Sequence, residues 1–330
     1  MESIDDMVDF VIKNGRSILL LNLLLVIFTR NYTNVPYYSF IANLVFALIY
    51  RCSVFYNLPR NWRHISSSDI ALITGGSNGL GLEIVKNLIA KGATVYVIDV
   101  SPPPIENDKL VFLRCDLSDE QRVTSVLSNL IEKLNSHQEH VSILINNAGI
   151  RDNKGLIDLE PARVKSMFSI NTLLPIWILQ TIINNHINVV LPKHPHSQLF
   201  VVTVSSILGT FAPKNLSIYS ATKAASILIH EALMQELRDY QETIRLLLIT
   251  TGQLSTAMFE DVEPSRLFLA PIVDHVKLAK SIVEKVDVGY LGCISEPFYA
   301  NFLPGVRTVP QCIQDFCRYV SEIDKKIKDQ

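Results

Sequence analysis

The sequence predicts an α/β fold, a doubly wound parallel sheet, preceded by an N-terminal hydrophobic membrane segment. From Asp69 onward, short β-branched runs such as IALITGG and TVYVIDV alternate with helix-length stretches. The runs are apolar almost throughout, which is the pattern of strands covered on both faces by crossover helices. Ahead of them lie two oily stretches, Ser17 to Phe28 and Val35 to Tyr50, where much of the 48% hydrophobic content is concentrated. The organisation read from these shifts is an anchoring segment over 1–65, an α/β domain over 66–310 and a helical tail over 311–330.

Each oily stretch is shorter than the roughly 20 residues of a straight helical span. The link between them, TRNYTN, is too polar for hydrocarbon. Lys13 and Arg16 precede the first stretch, Arg51, Arg60 and Arg63 follow the second, and the link holds only Arg30. The positive-inside rule then favours a hairpin with both ends cytosolic. The acidic start (Glu2, Asp5, Asp6, Asp9) and the lack of a small-residue cleavage site argue against a cleaved signal peptide.

Along the domain, IALITGG is the first strand and the pattern from Leu82 to Lys91 the first helix. TVYVIDV is the second strand, followed by a loop at Pro102 to Pro104. KLVFLRCD, VSILINNAG, QLFVVTVSS and IRLLLIT supply the remaining strands. A net charge of −2 with no Lys/Arg run excludes a nucleic-acid surface. Five cysteines form no CxxC pair and no Cys/His metal spacing, so the thiols read as reduced and no metal is expected.

Thr74 to Gly81 reads TGGSNGLG where the first strand meets the first helix. Glycines there let the backbone turn sharply and approach a pyrophosphate, whose charge the helix N-terminus favours. Asp99 closes the second strand, where its carboxylate can accept from ribose hydroxyls and would repel a 2′-phosphate. NAD is therefore expected, with NADP the alternative. Tyr219 and Lys223, four residues apart, share one helix face. A tyrosine near its ordinary pKa is a poor base at neutral pH, and a neighbouring cation lowers it. Ser206, ending the strand QLFVVTVSS, is placed to hydrogen-bond a substrate oxygen.

These motifs together resemble the classical short-chain dehydrogenase/reductase family, over about residues 69 to 260. Its glycine motif matches Thr74 to Gly81, its NNAG matches Asn146, Asn147, Ala148 and Gly149, and its YxxxK matches Tyr219 to Lys223. The resemblance implies a Rossmann-type fold and makes Tyr219 the general acid/base. Lys223 would lower the tyrosine pKa and hold the nicotinamide ribose. Ser206 rather than Ser205 would orient substrate, by its spacing to Tyr219 and Gly209, and Asn171 would position a relay water. It also implies cofactor contacts from Gly75, Ser77, Asn78, Gly79, Leu80, Gly81, Asp99 and Asp116. Further contacts come from the NNAG residues, Tyr219 and Lys223, and from Leu254 and Thr256 in TGQLST. In that segment Thr251 stands where the family has proline, and the resemblance implies a substrate loop over 253–275. HINVVLPKHPHSQ, with His186, His194 and His196, reads as a solvated loop in place of a compact lead-in.

The hydrophobic start and the tail ISEPFYANFLPGVRTVPQCIQDFCRYV resemble the membrane-anchored retinol and 17-beta-hydroxysteroid dehydrogenase branch. That likeness implies a lipophilic alcohol or carbonyl substrate and a role in lipid metabolism. It also implies attachment at the endoplasmic reticulum or a lipid droplet with the catalytic domain cytosolic, and it leaves room for a homodimer. The alternatives are an NADP(H)-dependent ketone reductase and a catalytically silent membrane scaffold of the same fold.

Overall fold

The computed structural model describes residues 35–59, 61–260, 262 and 270–325, together with Ser3, Asp5, Asp6, Asp9 and Lys13. Two compact units are present, Met1–Pro59 and Arg60–Gln330. In the first, helix α1 spans Val35–Asn57, 23 residues. The second oily stretch therefore continues past Tyr50 and Arg51 to Asn57. At about 1.5 Å per residue this is roughly 35 Å, and none of its stretch Phe40–Asn57 is buried. By length and composition α1 is able to cross a bilayer. The first oily stretch, Ser17 to Phe28, lies outside the described residues, as does the polar link.

The second unit is built on seven strands in the order β3-β2-β1-β4-β5-β6-β7. They are β1 Ile70–Thr74, β2 Thr94–Asp99, β3 Leu110–Arg114, β4 Ile143–Asn146, β5 Leu199–Ser206, β6 Ile244–Thr251 and β7 Gly292–Glu296. Every pairing is parallel. The order reverses between β1 and β4, which opens a crevice at the carboxyl ends of the central strands. Strand β7, GCISE, had no apolar run to betray it. It is an edge strand, half-exposed along most of its length, so it needs no continuous oily face.

One sheet face packs α3 (Glu120–Ser136) and α5 (Leu174–Asn185) through residues such as Leu127, Leu130, Ile178 and Ile182. The other packs α2 (Gly79–Ala90) and α7 (His275–Asp287) through Ile84, Leu88, Ile282 and Val286. Residues before β1 join this unit. Arg63 grips Asp69 with paired 2.7 Å bonds, and Asp69 accepts from the Ser142 hydroxyl at 2.8 Å. Burial opposes the charged form of Asp69, but Arg63, Ser66 and Ser142 together hold its carboxyl below the usual range. Trp62 lies where a Cβ on Gly289 would fall, 2.4 Å from its Cγ.

Helix α4 (Pro161–Phe168) runs through a π turn, Ser169–Leu173, into α5, and a second π turn follows at His186–Val190. The expected solvated loop is thus corrected. His186 is only 1% exposed, because Ile187 and Val190 carry the apolar face onward, while His194 and His196 are exposed. Burial, with His140 nearby, pushes the His186 imidazole down to about 4. Burial does the same to His230 in the core behind β5.

Both folded values lie below the unfolded value near 6.5. Between those limits the unfolded chain binds protons that the native chain does not, so stability falls as pH drops from about 6.5 to about 4. At about 1.4 kcal/mol per unit, each histidine contributes on the order of 3 kcal/mol across that window. Urea midpoints measured at pH 7 and pH 4.5 should show the loss, and His186→Leu should shrink it. A midpoint independent of pH would contradict this account.

Candidate active site

The crevice holds a cavity of about 550 Å³ that runs from the glycine turn to Tyr219. At its first end, β1 turns into α2 through Gly75 and Gly79, both at positive φ (+67° and +51°). A Cβ on Gly81 would sit 2.0 Å from the Gly75 carbonyl oxygen, so only glycine permits the tight crossing. The NNAG segment locks against this turn. Asn147 Nδ2 donates to Gly75 O at 2.8 Å, and Thr74 Oγ1 accepts from the amides of Asn147 and Ala148, each at 3.2 Å.

Asp99, at the end of β2, accepts from the Ser77 amide at 3.1 Å and from the Val100 amide at 2.7 Å. Its carboxylate lines the cavity where a ribose would lie. Asp116 also lines it; the Ser118 amide and hydroxyl hold its carboxyl below the usual range. These glycines, the two carboxylates and the open cleft fit a dinucleotide.

At the reacting end, helix α6 (Ser217–Glu236) puts Tyr219 and Lys223 on one buried face. Gly209 allows the turn after β5 to press on α6, where a Cβ would lie 2.7 Å from the Ala224 amide nitrogen. Ser206 donates to Thr251 O at 3.2 Å and lines the cavity with Tyr219. Ser205 instead donates to the Lys223 carbonyl at 3.0 Å. Its hydroxyl is spent on the helix.

The electrostatics differ from the simple Tyr–Lys expectation. Burial pushes the Tyr219 phenol up to about 12, opposed by the Ser206 hydroxyl and the charge of Arg151. Burial also pushes Lys223 down to about 8. Its Nζ donates to Val204 O at 3.0 Å and lies 5.8 Å from the Tyr219 ring centre. The charge of Arg151 favours the phenolate.

Most expected site residues converge on the cavity: Gly75, Asn78, Gly79, Leu80, Gly81, Asp99, Asp116, Asn147, Ala148, Gly149, Ser206, Tyr219, Lys223, Leu254 and Thr256. Ser77, Asn146 and Asn171 are not among its lining residues. The Ser77 hydroxyl bonds Ser101 O at 2.5 Å, shaping the turn from behind. Asn146 is buried at the end of β4.

Asn171, in the first π turn, turns its carboxamide to the backbone of Ile150. Its Oδ1 accepts from Ile150 N and its Nδ2 donates to Ile150 O, both at 2.8 Å. Nδ2 also meets Thr222 Oγ1 at 3.0 Å. Asn171 is the clamp on the segment after NNAG.

Lining residues that the sequence did not single out include Ile150, Met258 and Phe259. Ile150 lies directly after NNAG, and Met258 and Phe259 fall within the substrate loop expected over 253–275. The segment after β6 covers the cavity's flank. Leu254 pairs with Val273, Val273 N donates to Gln253 O at 2.9 Å, and Ser255 N to Val273 O at 3.0 Å. Thr256 packs against Gly79, 3.2 Å from where a Cβ there would be. A Cβ on Gly252 would meet Tyr299 Oη at 2.8 Å.

The family profile described as short chain dehydrogenase matches residues 69–267. The chain belongs to the short-chain dehydrogenase family. This short-chain dehydrogenase is therefore an oxidoreductase with a nicotinamide-dinucleotide-binding fold. It is 36% identical over 265 residues to the oxidoreductase TDA5 of Saccharomyces cerevisiae, covering 79% of this chain and 78% of that one. Among solved structures, it resembles a short chain dehydrogenase from Burkholderia cenocepacia in complex with NADP. The TM-score there is 0.61 at 18% identity, over 77% of this chain and 98% of that one. A 3-ketoacyl-(acyl-carrier-protein) reductase from Brucella melitensis complexed with NADH gives 0.58 at 20% identity, over 69% and 96%. At such identities these likenesses speak for the fold.

Proposed function

We propose that this short-chain dehydrogenase is membrane-attached and moves hydride between NAD(H) and a lipophilic primary or secondary alcohol or its carbonyl. The observation that carries this reading is one cavity with Asp99 at one end and the Tyr219–Ser206 pair at the other. Asp99 suits ribose hydroxyls and repels a 2′-phosphate. Beside Tyr219, the walls Ile150, Met258 and Phe259 are apolar, which suits an oily substrate.

NAD+ held along Gly75, Gly79 and Asp99 would supply the hydride acceptor for the carbinol carbon. Ser206 holds the substrate oxygen, and Tyr219 takes the hydroxyl proton as the carbonyl forms. Lys223, buried at the foot of the same helix face, is the ammonium suited to hold the nicotinamide ribose. Support for attachment comes from α1 and the oily stretch before it. The reading places the protein on the endoplasmic reticulum or a lipid droplet, with the catalytic unit cytosolic.

The test is to incubate membranes carrying the protein with retinoids, sterols and fatty alcohols and either NAD+ or NADP+, following reduced nicotinamide at 340 nm. Oxidation of at least one lipophilic alcohol is expected, faster with NAD+. A preference for NADP+ would refute the role given to Asp99, and no turnover across the panel would refute the substrate class.

A further inference from the structure

We propose that Arg151 is a positioning residue that fastens the first turn of the substrate loop, Ala257–Phe259, against the reacting end of the cavity. The inference rests on the reading of Tyr219 as the proton-transfer group. The segment after NNAG forms a wall between two cavities. Gly149 and Ile150 line both, as do Ala257 and Met258 from the loop opposite. That segment is held from behind. Asn171 bonds both the amide and the carbonyl of Ile150. Arg163 donates to the Arg151 carbonyl at 2.9 Å and to Asp152 at 3.1 Å.

With its backbone fixed, the Arg151 side chain reaches across to the loop. Nε donates to Met258 O, Nη1 donates to Asn153 Oδ1, and the guanidinium lies 5.0 Å from the Phe259 ring centre. A flat cation with divergent donors suits this combination of carbonyl, amide oxygen and aromatic face; an ammonium does not. Met258 and Phe259 are the residues that bring the loop to the cavity beside Tyr219. The backbone pairing at Leu254 and Val273 fixes the stems of the loop, and Arg151 fixes its first turn.

The same contact delivers charge to the reacting group. Tyr219 is faced by Ser206 through its hydroxyl and by Arg151 through its charge, both favouring the phenolate against burial. Lys223 lies 5.8 Å from the ring, turned to Val204. Asp152, next to Arg151, is committed to Arg163. When the turn is fastened, the cation is in place. Phe259, 5.0 Å from the Arg151 guanidinium, packs against the cluster that holds Tyr219, so the substrate wall and the charge near the phenol move together.

The test uses the full-length protein with Arg151→Met and Arg151→Lys. Hydrogen exchange of the amides over 255–260 should speed by about tenfold or more in Arg151→Met, and Arg151→Lys should not restore the protection. For an alcohol turned over in the panel above, the rising pH limb of kcat/KM should move to higher pH by about one unit in Arg151→Met. It should return toward wild type in Arg151→Lys, which keeps the charge. NADH affinity should stay within about twofold. A merely structural role would leave the pH limb in place. Exchange unchanged in Arg151→Met, or a limb that does not move, overturns the proposal. The exchange measurement needs no substrate, so failure of the whole alcohol panel would refute the proposed function and leave Arg151 to be judged on exchange alone.

Discussion

Replacing Tyr219 with phenylalanine should lower turnover by about 100- to 10,000-fold, the usual worth of general acid–base catalysis, while NADH affinity stays near wild type. The substitution deletes one oxygen from a side chain only 4% exposed. The ring can keep its packing, and Ser206 keeps its bonds to Thr251 O and from the Leu208 amide. Helix α6 loses no backbone contact. Single-turnover rates with the best alcohol of the panel, set beside NADH titrations, separate chemistry from binding. Lys223→Ala should behave differently, losing cofactor affinity as well, because the proposed function gives its ammonium to the nicotinamide ribose. Ser206→Ala should slow turnover with affinity spared. A Tyr219→Phe rate equal to wild type would remove the mechanism while leaving the fold untouched.

The second large effect is expected at Gly81. An added methyl would lie 2.0 Å from Gly75 O and 2.6 Å from Asn147 Nδ2. The first of these is backbone, so no side-chain rotation relieves it. Gly81→Ala must spread the turn from α2 or break the Asn147 bond to Gly75 O. Overpacking of this kind costs about 1–3 kcal/mol, and the distortion falls where a pyrophosphate would bind. NADH affinity should drop by roughly tenfold to a hundredfold, and the melting temperature should fall with it. The Tyr219–Ser206 pair lies at the other end of the cavity, so kcat at saturating NADH should change far less than KM. Gly305→Ala is the control, since nothing lies within 4 Å of its added Cβ. Isothermal titration of both variants checks this; equal affinity in Gly81→Ala and wild type would mean that the turn is softer than its contacts indicate.

The parts of this fold legible in the sequence are those dictated by local covalent geometry and by two-sided burial. The glycine turn was readable because Gly75, Gly79 and Gly81 answer steric demands that no other residue meets. Strands β1, β2, β5 and β6 were readable because both of their faces lie in the core. The family resemblance, through the spacing to Tyr219 and Gly209, picks Ser206 over Ser205, and strand alternation aims the two hydroxyls apart. What escaped notice depends on partners distant in the chain. β7 is polar because it forms an edge, and its ladder partner β6 lies some forty residues earlier. His186 read as loop because its burial is supplied by neighbours rather than by its own pattern. Arg151 follows the NNAG motif with no periodicity to mark it, and its contacts Met258 and Phe259 are more than a hundred residues away. Asn171 was found, but its two-sided grip on Ile150 was not, since spacing gives position and not orientation.

The pairing of Leu254 with Val273 has a consequence for inheritance. It ties the two ends of the intervening stretch of chain together with backbone bonds that do not depend on the side chains between them. The entropic toll of closing that stretch is set at the neck and grows slowly with what hangs from it, by about 0.6 kcal/mol for each doubling of length. Insertions, deletions and replacement between Phe259 and Val273 therefore spare the sheet, the glycine turn and the proton-transfer pair, because Thr256, Met258 and Phe259, which touch those parts, lie outside that stretch. Descendants of such a gene can trade one cassette for another and acquire a new substrate in a single step, while the machinery beneath drifts slowly.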